Sequence, residues 1–177
     1  RGAGIVTDDT HTYARIMSID PSAMQNAIKA GKIVIVAGFQ GVNQDGSITT
    51  LGRGGSDLSA VALAGALKAD QCEIYSDVDG IYTTDPRIEP NAKKLESISY
   101  DEMLELSSLG AKVLQNRSVE LAKKLNVKLY AKSSFSDNVG TLITEENENM
   151  EEVLVAGVVL DKNQARVTLR GVSDRPG

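Results

Sequence analysis

Two segments gather the residue types that phosphoryl or carboxylate chemistry needs. The first is Gly52-Arg53-Gly54-Gly55-Ser56-Asp57, set directly before the uncharged run Leu58 to Leu67. Glycines ahead of a helix let the backbone approach a ligand closely, and free N–H groups at the helix start favour an anion. Arg53 adds a fork that can clamp a carboxylate or phosphate, and Ser56 adds a hydroxyl. Asp57 is the odd member, because a carboxylate repels an anion unless it organises a cation. It therefore reads as the organiser of a lysine or of bound magnesium. The competing reading is a plain turn in which Ser56 and Asp57 cap the helix. Spacing alone leaves both open.

The second segment is Ser76-Asp77-Val78-Asp79-Gly80-Ile81-Tyr82-Thr83-Thr84-Asp85-Pro86-Arg87, which follows a strand over Glu73 to Ser76. At the carboxyl end of a parallel strand it stands where ligands bind in open α/β sheets. It offers three carboxylates, four hydroxyls (Ser76, Tyr82, Thr83 and Thr84) and Arg87. A nucleotide needs that mixture of donors and acceptors. Asp77-x-Asp79-Gly80 also has the opening of a calcium loop. The acidic ligands expected at its fifth and twelfth positions are absent, with Thr84 and Ile88 nearest. A structural loop is the remaining alternative. Lys112, after Gly110-Ala111, can reach a phosphate as a point charge or sit solvated on the surface. Ser133 and Ser134 end a strand as a turn or a ligand edge. His11 and Cys72 read as structural or surface residues. No Walker A run exists, since Gly31-Lys32 continues into Ile33, and there is no strict GxGxxG and no protein-kinase catalytic-loop triplet.

Composition narrows the class. The chain has 177 residues, 41% hydrophobic and 24% charged, with 4% aromatics and no Trp. That fits a packed protein of one or two domains with an aliphatic core. The longest uncharged apolar stretch is too short to span a bilayer, and no signal peptide is visible. One cysteine excludes an internal disulfide and a multi-cysteine zinc site. A net charge of −5 disfavours nucleic acid. No membrane partner is expected, and a reducing cytoplasm fits best. The chain opens at Arg1 without Met and closes on Arg175-Pro176-Gly177, which reads as an excerpt of a longer protein.

The elements that must position these residues alternate. Gly4 to Thr7 and Ala14 to Ser18 read as extended. A helix runs from Asp20 (N-cap) and Pro21 to about Ala30, ended by Gly31. Ile33 to Ala37 is a β-branched run that reads as a strand buried on both faces. A loop over Gly38 to about Ser47 follows. The Leu58 to Leu67 helix is expected to pack tightly against a sheet. Two helices are expected near Tyr100 to Leu109 and Lys112 to Leu125, then a strand over Val127 to Lys132. The pattern is α/β, a layered fold with a largely parallel central sheet. Domain boundaries fall at 1–145, an acidic linker at 146–152, and 153–177, where Val153 to Leu160 and Ala165 to Val172 read as a hairpin opening a second, α+β domain.

Taken in order, Thr49 to Asp57, Ser76 to Arg87, Ile98-Ser99-Tyr100-Asp101-Glu102-Met103 and Gly110-Ala111-Lys112-Val113-Leu114 closely resemble the signature segments of the aspartate kinases, a branch of the amino-acid kinase family. The resemblance covers roughly residues 4 to 177. It implies transfer of the γ-phosphoryl of ATP to the β-carboxylate of L-aspartate, the opening of the route to lysine, threonine, methionine and diaminopimelate. Arg53 would hold the substrate α-carboxylate, with Gly54, Gly55 and Ser56 beside it, and Asp57 would orient a catalytic lysine. Tyr75, Ser76, Asp77, Ile81, Tyr82, Thr83, Thr84, Asp85, Pro86, Arg87 and Lys112 would form the ATP site, with magnesium bridging the phosphates and no protein metal ligand assigned. It further implies a homo-oligomer and an amino-acid effector at a regulatory ACT region, whose entry residues 153–177 resemble. The family's Lys-Phe-Gly-Gly-Thr-Ser segment is not in this sequence, so the chain alone is expected to be inactive. Gln115-Asn116-Arg117 stands where His-Pro-Arg is common and is expected to touch none of these roles. A related kinase for glutamate, acetylglutamate or a nucleoside monophosphate is one alternative. A non-catalytic nucleotide- or amino-acid-sensing subunit is another.

Overall fold

In the computed structural model, residues 2–110, 113–146 and 157–160 are described. Among the described residues eight short strands assemble into two four-stranded sheets. The first holds β1 (Ile5–Thr7), β2 (Ile16–Ile19), β3 (Gln40–Val42) and β4 (Ile48–Thr50) in the order β2-β1-β3-β4. The second holds β5 (Cys72–Ser76), β6 (Ser97–Ser99), β7 (Leu129–Ser133) and β8 (Thr141–Thr144) in the order β5-β7-β8-β6. Both are mixed. β1 pairs parallel with β3 but antiparallel with β2, and β7 pairs parallel with β5 but antiparallel with β8. The chain is thus α/β and layered, with parallel pairing confined to part of each sheet.

Four helices join these strands: α1 (Ser22–Lys29), α2 (Gly55–Leu67), α3 (Tyr100–Ser108) and α4 (Asn116–Leu125). The α1 helix starts one residue later than its Asp-Pro signal suggests. Pro21 is the N-cap, and Asp20 instead accepts the Ser22 N–H at 3.0 Å. Its end follows the sequence, because Gly31 turns at φ +73° and lets Lys32 N–H reach the Ala27 carbonyl at 3.0 Å. The α3 helix begins with a full capping box between Ser99 and Glu102. The α4 helix begins at Asn116, four residues after the expected Lys112.

The core is aliphatic. Val61, Ile98, Met103, Val119, Leu129 and Ile143 are essentially sealed from solvent between the second sheet and helices α2, α3 and α4. Tyr100 joins them and donates its hydroxyl to the Val127 carbonyl at 2.8 Å. The expectation that α2 lies chiefly on a sheet needs adjustment, because its small residues let it nest against α4. A Cβ at Gly65 would stand 2.5 Å from Leu125 Cδ1.

Two expectations fail. Ile33 to Ala37 is not a strand, and Ile33 and Ile35 are each 94% exposed. A doubly buried strand needs ladder partners and covered faces, and no strand pairs with this run among the described residues. The Gly38 to Ser47 loop contains β3 and leads into a hairpin with β4. Asn43 closes that turn by accepting the Ser47 N–H on its side chain at 2.8 Å. Of the expected hairpin 153–172, residues 157–160 run without strand pairing, and the remainder lies outside the described residues. There, Val158 N–H bonds the Thr83 carbonyl at 2.7 Å, and Val159 packs against the core.

Candidate functional site

The Gly-rich turn hangs from a buried anchor. Leu51 is fully buried, and its N–H bonds the Phe39 carbonyl at 2.9 Å. The chain then reverses over Gly52 to Gly55, with Gly55 N–H bonded to the Gly52 carbonyl at 2.9 Å. Gly54 is the N-cap of α2 and sits at φ +72°, a left-handed conformation that a side chain disfavours. A Cβ there would lie 2.4 Å from Gln115 Cγ, so the turn rests directly on the N-cap of α4. Arg53 and Ser56 are exposed on this turn. An exposed guanidinium beside a helix start suits a carboxylate or phosphate.

Asp57 lies in the first turn of α2, half-buried. Burial raises its carboxyl above the ordinary value, and a 3.4 Å bond from the Ser56 hydroxyl offsets part of that. Among the described residues no ion pair involves Asp57. Its charge is felt at Cys72, whose thiol is pushed up to about 11 by burial, then by Asp57 and Glu73. Cys72 is accordingly a buried thiol whose charged form is disfavoured, the structural one of the two readings its sequence left open.

The second segment leaves the carboxyl end of β5. Ser76 pairs in register with Ser133 of β7, and Ser134 N–H bonds the Ser76 carbonyl at 2.8 Å. The Ser133-Ser134 edge therefore stands beside the loop. Tyr75 is exposed, donates its hydroxyl to Glu73 at 2.8 Å, and has the Lys132 ammonium 5.6 Å from its ring centre. Lys132 also pairs with Glu73 at 2.9 Å. Those bonds hold the Glu73 carboxyl below its ordinary value and raise the Lys132 ammonium.

Asp77 points outward. Asp79 accepts the Tyr82 hydroxyl at 2.9 Å and stands 3.7 Å from the Lys94 ammonium. The bond to Asp79 raises the Tyr82 phenol. Thr83 and Thr84 are half-buried, and Thr83 Oγ1 accepts the Lys93 N–H at 3.1 Å. Pro86 is exposed. Arg87 forks onto Asp85, with its Nε at 3.0 Å from one carboxylate oxygen and its Nη2 at 2.9 Å from the other. Ile81 departs from a lining role, being 2% exposed and part of the core. Its N–H bonds Thr141 Oγ1 at 2.9 Å, which ties the loop to β8. Lys112 lies outside the described residues.

Two further side chains lie against the candidate segments without being singled out by the sequence. Lys94 faces Asp79 from across the Tyr82–Lys94 bridge. Arg117, expected to touch no assigned role, donates to the Leu51 carbonyl at 2.7 Å and the Ala14 carbonyl at 3.0 Å. Its guanidinium also lies 4.3 Å from the Tyr13 ring centre. Neither had a local signal, because both act across long sequence separations. No group of three or more His, Cys, Asp or Glu gathers among the described residues to hold a metal ion. No described helix is long and apolar enough to cross a membrane.

Comparison with known proteins gives a consistent family. The model of the amino acid kinase family matches residues 3–133. An aspartokinase of Helicobacter pylori is 62% identical over 179 residues, covering 99% of this chain and 44% of that protein. An aspartate kinase of Pseudomonas putida is 56% identical over 174 residues, covering 98% of this chain and 42% of that protein. Among solved structures, Escherichia coli aspartokinase III with aspartate and ADP superposes with a TM-score of 0.73 at 36% identity. That superposition covers 84% of this chain and 34% of the other. The chain thus spans less than half the length of these relatives. The Gly-rich turn on α2, the polar loop off β5 and a family match across both place this chain in the amino acid kinase family.

Proposed function

We propose that these residues form part of an aspartate kinase, which moves the γ-phosphoryl of ATP to the β-carboxylate of L-aspartate. The observation that carries this reading is the 62% identity to an aspartokinase across 99% of the chain, both candidate loops included. Arg53 would clamp the α-carboxylate of aspartate, with Gly54, Gly55 and Ser56 letting the substrate approach the backbone. Asp57 would orient a lysine supplied from elsewhere in the full-length enzyme. Its carboxyl, raised by burial, would return to the ionised form beside that cation. The nucleotide would lie along Tyr75 to Arg87, with Lys112 on its phosphates. Phosphoryl transfer needs mainly alignment and charge stabilisation, which this donor set suits. Magnesium would be carried by the nucleotide phosphates. An Escherichia coli relative has been solved with lysine and aspartate in its T-state, which supports an amino-acid effector for the same enzyme type. Assembly as a homo-oligomer belongs to the same reading.

The test is a full-length chimera in which residues 2–177 replace the matched part of the Helicobacter pylori aspartokinase. ADP release with Mg·ATP is followed with aspartate, glutamate, acetylglutamate or UMP as acceptor. Turnover with aspartate alone is expected. Turnover with another acceptor, or with none, overturns the proposal. Arg53→Ala is expected to raise KM for aspartate, and Asp57→Ala to lower kcat, because the second acts on a group engaged in the transition state.

A further inference from the structure

We propose that Arg117 is the positioning residue of the substrate turn, locking the backbone that carries Arg53. The inference rests on reading Gly52 to Ser56 as the aspartate site. Arg117 reaches 66 residues back in the chain to Leu51 and 103 back to Ala14. Both of those residues are fully buried, and a buried carbonyl without a donor is costly. The Leu51 carbonyl is the last acceptor before Gly52, so the guanidinium fixes the root of the turn. Segments 11–14 and 50–51 are already cross-linked there, by Ala14 N–H to the Thr50 carbonyl at 2.9 Å and Thr50 N–H to the His11 carbonyl at 2.8 Å. Arg117 closes that ladder with both arms of its fork.

The flat face of the same group adds a second hold. Tyr13 lies under the guanidinium and packs on the turn, since a Cβ at Gly52 would be 2.5 Å from Tyr13 Cδ2. Two residues earlier, Gln115 packs against Gly54. The start of α4 thus grips the turn at its root and at its far side, with Arg53 between the two grips. A planar fork suits this place best, because an ammonium, though it has donors for two carbonyls, lacks the flat face that lies on the ring while the fork holds both carbonyls.

The experiment uses the full-length chimera with Arg117→Ala, Arg117→Lys and Tyr13→Leu, assayed at least 15 °C below each variant's melting temperature. Misplacement of a substrate-holding group by about 1 Å can cost up to about 100-fold. Arg117→Ala is therefore expected to raise KM for aspartate about tenfold or more while KM for ATP stays within about twofold. Arg117→Lys recovers little of that loss. Added guanidinium at non-denaturing concentration lowers the aspartate KM of Arg117→Ala. Tyr13→Leu gives a smaller rise in the same constant. A lowered melting temperature with both KM values unchanged, or shifted together, overturns the proposal and makes Arg117 a helix anchor only. If Arg117→Ala does not fold, Arg117→Lys and Tyr13→Leu decide by the same comparison. An unsubstituted chimera inactive with aspartate overturns the proposed function itself and removes the substrate assignment made here.

Discussion

Replacing Gly54 by Ala tests the geometry of the Gly-rich turn through stability. Gly54 holds φ +72°, where an L-residue costs about 1–2 kcal/mol. The new methyl would also meet Gln115 Cγ at 2.4 Å and Cβ at 2.8 Å, closer than carbon atoms approach. Gln115 must then move, and it is not a free side chain. Its Oε1 caps α4 by accepting Ser118 N–H at 3.1 Å. Losing such a cap costs about 1 kcal/mol. Together the two effects predict a loss of about 2–3 kcal/mol. In a chain of this length that lowers Tm by about 5–10 °C. Urea unfolding followed by far-ultraviolet circular dichroism would measure it. A double-mutant cycle separates the parts. In a Gln115→Gly background, Gly54→Ala should cost only the backbone strain, leaving a coupling energy of about 1 kcal/mol. A loss below about 0.5 kcal/mol, comparable to an indifferent surface change, would refute both the left-handed turn and its seat on α4.

Other perturbations probe the second loop and the titratable groups of β5. Thr141→Val keeps shape but removes the oxygen that takes the Ile81 N–H at 2.9 Å and donates to the Leu95 carbonyl at 2.6 Å. Stranding that buried N–H should cost about 1–3 kcal/mol, read by urea unfolding. With its thiol near 11 instead of the ordinary 9.0, Cys72 should alkylate at pH 8 about 100-fold more slowly than in the urea-unfolded chain. Asp57→Asn should speed that labelling, because it removes a charge that disfavours the thiolate. Since folding raises this thiol, its contribution to stability is present below pH 9.0 and lost as pH rises through about 11. Glu73 runs the opposite way. Its carboxyl is held below 4.5 by Lys132 and Tyr75, so its contribution is present above that value and lost as pH falls through the folded one. Glu73→Gln should flatten the acid limb of a stability-against-pH curve.

Sequence patterns located most elements where the signal was local. Gly31 and the small-residue run of α2 each announce themselves within a few positions. The strands β6 and β8 and the β3–β4 hairpin were missed, since each strand is only three or four residues long and shows no alternation to separate it from the surrounding loop. Ile33 to Ala37 shows the reverse error. Its composition is that of a central strand, yet composition cannot supply the neighbours that make a strand pair. Arg53, Asp57 and the Ser76 to Arg87 loop stand out as candidates by residue type, while spacing alone left a ligand role and a structural turn both open. Arg117 does not stand out, because its partners Leu51 and Ala14 lie 66 and 103 residues away and meet it only in the folded chain. Nor could the pairing of Arg87 with Asp85, or the burial of Ile81, be separated from a ligand role by sequence alone.

The bare isoleucines at 33 and 35 give the 177-residue chain a predictable colloidal character. Two nearly fully hydrated β-branched side chains, on backbone that joins no strand pair among the described residues, form a sticky stripe that a second copy can meet. Opposing that attraction is the mutual repulsion of molecules carrying a net charge of −5. Salt weakens only the second force, since the screening length falls from about 30 Å at 0.01 M to about 10 Å at 0.1 M. Solutions of this chain should therefore turn from repulsive to attractive as ionic strength rises. An Ile33→Lys, Ile35→Lys pair would act on the stripe itself and remove the attraction that salt uncovers.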